Sequence, residues 1–210
     1  MKTRIKICGL RDRETLLQTI AQGADAIGLV FYPPSPRCVT VEEAAALCTG
    51  LPAFVSLVGL FVNPTPAQVQ AVLEKVPLDL LQFHGDESLA ECVQYGRAFI
   101  KAVRVKPDIN LVEYAQQYAH PLCRGLLVDA WVDGVPGGTG EAFDWQLLPA
   151  DLPLPLILSG GLHPDNVAMA IERVSPWAVD VSSGVERSKG IKDLDRVQAF
   201  IDAVHSVRKK

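Results

Sequence analysis

Four reactive side chain types stand at or just beyond the ends of short apolar runs in this chain. Cys8 closes "RIKIC", Arg37 lies in "FYPPSPR" after "AIGLVF", His84 follows "LLQF", and Asp129 closes "GLLVD". Two further runs end in small polar residues, "SGG" at 159–161 and "SSG" at 182–184. A thiol and a carboxyl brought to one place can flank a single substrate. An arginine fork suits a carboxylate, and backbone N–H groups of glycine-rich strand ends suit a phosphate.

Each of these has a plainer reading. A cysteine is often a small buried hydrophobe, and Asp129 could cap a helix or complete an ion pair. His84 could be a hydrogen-bonded supporting residue and Arg37 a surface cation. Ser-Gly clusters after strands are often only turns. Position is what separates the two sets of readings, and position depends on the elements that carry the residues.

Short β-branched or apolar runs occur at 4–8, 26–31, 55–62, 80–83, 99–105, 125–129, 154–160 and 178–183. Amphipathic helical patterns lie between them, as in "RDRETLLQTIAQG", "TVEEAAALCTG", "TPAQVQAVLEKV", "ESLAECVQYG", "PDNVAMAIERV" and "LDRVQAFIDAVHSV". Several open on a capping Thr or an acidic first turn. Continuous apolar strands, buried on both faces and alternating with helices about every 25 residues, predict a parallel α/β architecture. Eight units predict a single (β/α)8 TIM barrel over residues 1–210, with a doubly wound open sheet as the alternative. In a barrel the strand C-termini form one mouth, and strands one and six stand well apart on it. Cys8 and Asp129 then face each other, and strands seven and eight bring "SGG" and "SSG" to the position where barrels hold phosphate. A phosphorylated small molecule is the expected ligand.

The 210 residues, 49% hydrophobic and 21% charged, suffice for one core without disulfide or metal. A net charge of -4 with no long basic run argues against nucleic acid. No run approaches the roughly 20 apolar residues of a membrane span, and no signal peptide pattern opens the chain. Five cysteines without metal-ligand spacing suit a reducing compartment, the cytoplasm. The longest irregular stretch, 130–145, contains "GGTG" at 137–140. It follows no strand directly and lacks a spaced acidic partner, so it reads as a mobile loop over the mouth and not as a dinucleotide loop. A Cys-His peptidase does not fit, since no signature surrounds Cys8.

Taken in order, "KICG" (6–9), "FYPPSPR" (31–37), "VGLFVN" (58–63), "LLQFHGDES" (80–88), "LLVDA" (126–130), "GGTG" with "FDW" (137–145), "SGGL" (159–162) and "DVSSGVE" (180–186) make the chain resemble the phosphoribosylanthranilate isomerase family of tryptophan biosynthesis. The resemblance implies an Amadori rearrangement of N-(5-phosphoribosyl)anthranilate to 1-(2-carboxyphenylamino)-1-deoxyribulose 5-phosphate, with no redox cofactor and no metal. It implies Asp129 as general acid and Cys8 as general base. It also implies Arg37 on the anthranilate carboxylate and Gly160, Gly161, Ser182, Ser183 and Gly184 around the phosphate, with His84 and Asp180 as further mouth residues. The mechanism needs a thiolate beside a protonated acid, the reverse of what free groups with pKa near ~8.5 and ~3.9 give.

One segment departs from the family pattern. "GVERSKGIKD" (184–193) has Ser-Lys where the family often has Pro before Gly, which predicts a less rigid turn into the last helix. The length leaves room for one barrel and predicts a monofunctional enzyme, as monomer or homodimer. A histidine-pathway aldose-ketose isomerase is the nearest rival, but such enzymes generally carry an aspartate at the place of Cys8. A catalytically silent metabolite-binding barrel would lack Cys8 or Asp129.

Overall fold

Each apolar run becomes a strand because its alternate residues meet two different apolar surroundings. The computed structural model describes residues 2–105, 109–129, 148–149 and 151–207. Its strands are β1 (Arg4–Cys8), β2 (Ala26–Val30), β3 (Ser56–Phe61), β4 (Leu80–Phe83), β5 (Phe99–Arg104), β6 (Cys123–Asp129), β7 (Leu156–Ser159) and β8 (Ala178–Val181). They close into a parallel barrel in sequence order, β8 pairing back onto β1. The closed ring decides for the barrel over the open sheet.

Outward-facing side chains such as Ile5, Ile7, Leu29, Phe61, Phe83, Val128, Leu158 and Val179 form the large buried layer beneath the helices. Inward-facing Val58, Ile100, Ala102, Leu127, Ile157 and Ala178 form a separate apolar plug, with Ala26 and Leu80 packed against it. The barrel interior is therefore filled at this level, and Lys6, Cys8 and Asp180 stand toward its C-terminal mouth.

The helices are α1 (Arg13–Ala21), α2 (Val41–Cys48), α3 (Pro66–Lys75), α4 (Leu89–Val93), α5 (Leu111–Gln117), α6 (Val167–Val174) and α7 (Leu194–Ser206). Caps fix where they begin. Asp12 accepts from Thr15 N at 2.8 Å, and Thr40, Thr65 and Ser88 each complete a reciprocal capping box with Glu43, Gln68 and Glu91. Each cap follows a strand C-terminus by a short connection, which holds the mouth loops to defined paths.

Two elements differ from the sequence reading. The eighth strand stops at Val181, and Ser183–Val185 forms a 3-10 turn. Beyond it, β9 (Glu186–Ser188) and β10 (Ile191–Lys192) pair antiparallel. The segment expected to turn loosely into the last helix is instead a hairpin whose Glu186 and Lys192 are buried. The glycine-rich loop reading at 137–140 lies outside the described residues. Among the described residues, no helix is long and apolar enough to cross a membrane.

Candidate active site

The two-residue period of β1 sends Ile5 and Ile7 outward and Lys6 and Cys8 into the barrel. Lys6 pairs in register with Asp180 of β8, and its Nζ donates to Asp180 Oδ1 at 2.8 Å, both side chains being buried. Ser159 Oγ at the end of β7 donates to the other carboxylate oxygen at 3.4 Å. Cys8 pairs with Gly28 of β2. A Cβ at Gly28 would lie 2.8 Å from Cys8 Sγ and 3.1 Å from Lys6 Nζ. The thiol and the ammonium share the space that the missing side chain leaves open.

Cys8 is 4% exposed. Burial pushes its thiol up. The neighbouring charges act in both directions, with Lys6 drawing it down, Asp180 raising it, and Lys192 drawing it down. Lys6 stays a cation: burial opposes its charge, but Asp180 and then Cys8 outweigh that and raise its pKa.

The same β1 period governs β6, where Leu127 joins the plug and Asp129 reaches the mouth two residues on. His84, just past β4, sets Nε2 3.5 Å from Asp129 Oδ2. Its Nδ1 lies 3.2 Å from Nε2 of the fully buried Gln82. With the amide so oriented, Gln82 donates to Nδ1, and neutral His84 carries its proton on Nε2, toward Asp129. Cys8 and Asp129 thus stand on β1 and β6, with β7 and β8 between them on one side of the ring.

Arg37 does not point freely into the mouth. Its Nε and Nη2 donate to Glu186 Oε1 and Oε2, each at 2.7 Å, so the fork already grips a carboxylate of the chain itself. Lys192 Nζ reaches Glu186 Oε1 at 2.8 Å and the Ser182 carbonyl at 2.9 Å. Burial works to raise the Glu186 carboxyl, but Arg37 and Lys192 together hold it below the usual range. This network is what orders the β9–β10 hairpin.

Gly160 and Gly161 both adopt left-handed φ, +83° and +64°. Asn166, opening α6, donates from Nδ2 to the Gly161 carbonyl and accepts from His163 N at 2.8 Å. The strand seven turn is thereby tied to the helix that follows it. A Cβ at Gly184 would overlap the Leu162 carbonyl, so the β8 turn approaches the β7 turn this closely only because position 184 carries no side chain. Ser182 Oγ donates to the Cys8 carbonyl at 3.0 Å and links this region to β1.

The residues singled out from sequence thus gather at one mouth. Lys6, Gly28, Gln82, Glu186 and Lys192 join them and were not anticipated. Lys6 carried a signal, being a charge set between two isoleucines inside a strand. Glu186 and Lys192 carried none, since only the hairpin brings them to Arg37.

A closed eightfold barrel whose C-terminal mouth gathers a thiol, a carboxyl and buried cations above an apolar plug is the architecture of a (β/α)8-barrel enzyme. Residues 5–203 match the family model for "N-(5'phosphoribosyl)anthranilate (PRA) isomerase". The chain belongs to this family and is an isomerase. It is 56% identical over 206 residues to the N-(5'-phosphoribosyl)anthranilate isomerase of Pseudomonas aeruginosa strain UCBPP-PA14, covering 98% of this chain and 97% of the relative. The phosphoribosyl anthranilate isomerase crystal structure from Thermotoga maritima superposes with a TM-score of 0.87 at 39% identity, covering 98% of this chain and 100% of the other. A second isomerase structure, holding reduced 1-(o-carboxyphenylamino)-1-deoxyribulose 5-phosphate, superposes with a TM-score of 0.83 at 38% identity over 98% of this chain and 100% of that one.

Proposed function

We propose that this chain, acting as one domain over residues 1–210, isomerises N-(5-phosphoribosyl)anthranilate by proton transfers between Asp129 and Cys8 in tryptophan biosynthesis. Asp129 gives a proton to the furanose ring oxygen, and the ring C–O bond breaks to leave a protonated imine. The Cys8 thiolate removes the proton from the second sugar carbon, and the electron pair moves into the imine to give an enolamine. Return of a proton to the first carbon and loss of the hydroxyl proton complete the ketose. No atom is gained or lost.

One observation carries the reading. Cys8 is buried at the mouth with a lysine ammonium against it and a carboxyl across the ring, an arrangement a purely structural cysteine does not require. The glycine turns of β7 and β8 supply backbone donors for the phosphate. All five cysteines are free thiols, in keeping with a cytoplasmic enzyme. In the direct test, the anthranilate fluorescence of freshly generated substrate decays rapidly on adding the protein. An unchanged signal would redirect the assignment to the histidine-pathway amine or to a silent barrel.

Arg37 has a double duty in this reading, since the substrate carboxylate must share or replace Glu186 on its fork. Arg37→Ala is expected to raise KM at least about tenfold with a smaller loss in kcat, as removal of a binding contact does. It is also expected to lower the melting temperature, because the buried Glu186 is left with Lys192 and the Gly190 N–H and loses the two guanidinium bonds. A fall in kcat with KM unchanged would remove Arg37 from the carboxylate site.

A further inference from the structure

We propose that Lys6 is the positioning residue that makes Cys8 available as a thiolate, by dividing its ammonium between the Cys8 sulfur and the Asp180 carboxylate. The inference rests on Cys8 being the base and supplies what that role lacks. Burial alone makes a thiol inert: in this chain it pushes Cys48 up to about 11 and Cys92 up to about 12. Cys8, 4% exposed, is buried like these, but it shares the barrel interior with the Lys6 ammonium across the gap at Gly28.

The charged groups that face Cys8, among the described residues, are few. Lys6 comes from its own strand, Asp180 from β8 and Lys192 from β10, while β2 contributes only Gly28. Lys6 Nζ and Cys8 Sγ both border the gap at Gly28, 3.1 Å and 2.8 Å from where a Cβ there would sit, and Lys6 is the cation that draws the thiol down most. Lys192 draws the thiol down less than Lys6 does, its Nζ already bonded to Ser182 and Glu186. Lys6 is therefore the cation through which the thiol is controlled. Being held protonated, it cannot itself take the substrate proton and acts only through the sulfur.

The Lys6–Asp180 pair makes the arrangement adjustable. While Cys8 is a thiol, the ammonium balances Asp180 at 2.8 Å. When the thiol ionises, the same ammonium serves two anions, Asp180 at 2.8 Å and the sulfur across the gap left by Gly28. A side chain on β2 would separate sulfur from nitrogen.

The signs follow from this geometry. Lys6→Met leaves Cys8 buried beside an uncompensated carboxylate, so thiolate formation moves to higher pH. Asp180→Asn removes the anion and keeps an acceptor for Lys6, so thiolate formation moves to lower pH. A purely structural role for the pair would not give opposite directions.

The test is iodoacetamide alkylation of the full-length protein across pH without substrate, with the Cys8 peptide followed by mass spectrometry. The midpoint of the rate profile reports the thiolate independently of access. We expect Lys6→Met to raise the midpoint by about one unit or more, a tenfold loss of thiolate at a given pH. Asp180→Asn lowers it, and Lys6→Arg keeps it near the wild-type value. A folded Lys6→Met with an unmoved midpoint overturns the proposal. So does an Asp180→Asn midpoint that stays or rises, which decides the matter even if Lys6→Met does not fold. Because no substrate is present, these outcomes are separate from whether Cys8 is the base, which turnover of a Cys8 variant decides.

Discussion

Cys8→Ala is expected to lower turnover of N-(5-phosphoribosyl)anthranilate by at least about a thousandfold, within the range a positioned general base contributes. The loss should fall on kcat. The groups assigned to the phosphate sit on β7 and β8, and the bond from Ser182 reaches the Cys8 backbone carbonyl, which the substitution retains. A reduced product analogue should therefore bind the variant within a few fold of wild type. Stability should change little, by ~1 kcal/mol, since only a sulfur is removed from a buried site. Cys8→Ser sharpens the comparison. A hydroxyl of similar shape could hold any hydrogen bond the thiol makes, but it does not ionise in this pH range. If Cys8→Ser turns over substrate within tenfold of wild type, the thiolate is not the base.

The barrel was legible because its chemistry is written at short range. A strand buried on both faces needs apolar residues at both parities, and "LLQF" or "FIKAVRV" provide them. A helix needs a cap and a stripe, and "TVEEAAALC" provides both. Helix α5 went unremarked although Asn110 caps it by accepting from Val112 N and Glu113 N.

The site divides along the same line. Cys8, His84 and Asp129 could be picked out because a strand end fixes their place whatever the partner. Their electrostatics could not. Lys6 meets Asp180 across 174 positions of sequence, and Arg37 meets Glu186 across 149. "GVERSKGIKD" looked like a turn lacking its proline. What stiffens it is a buried carboxylate gripped by Arg37 and Lys192, with Arg196 Nη1 donating to the Glu186 carbonyl at 2.8 Å. Arg37 was assigned to a substrate carboxylate for its fork geometry, and the fold applies that same geometry to Glu186. Residue chemistry predicted the kind of partner, and the fold adds one from the chain itself, Glu186.

Asp129→Asn is expected to match Cys8→Ala in severity, a loss of about a hundredfold to ten thousandfold in kcat. Asparagine keeps the volume of the side chain and an oxygen that can still accept from His84 Nε2, 3.5 Å away in the native protein. The backbone pairing of this position with Arg104 and Ser159 is also untouched. What it cannot do is deliver a proton to the ring oxygen. Without that proton the sugar stays closed, no imine forms, and Cys8 has no acidified carbon to attack. The two residues act in series on one path, so the double variant should be scarcely slower than either single one. Solvent-deuterium exchange at the second sugar carbon should be lost in both variants. Losses that multiply in the double variant would mean that the two groups serve independent steps. An Asp129→Asn enzyme that keeps a tenth of its activity would move the acid to another group at the mouth, His84 first, since it alone among the described residues there is an imidazole set 3.5 Å from the same position.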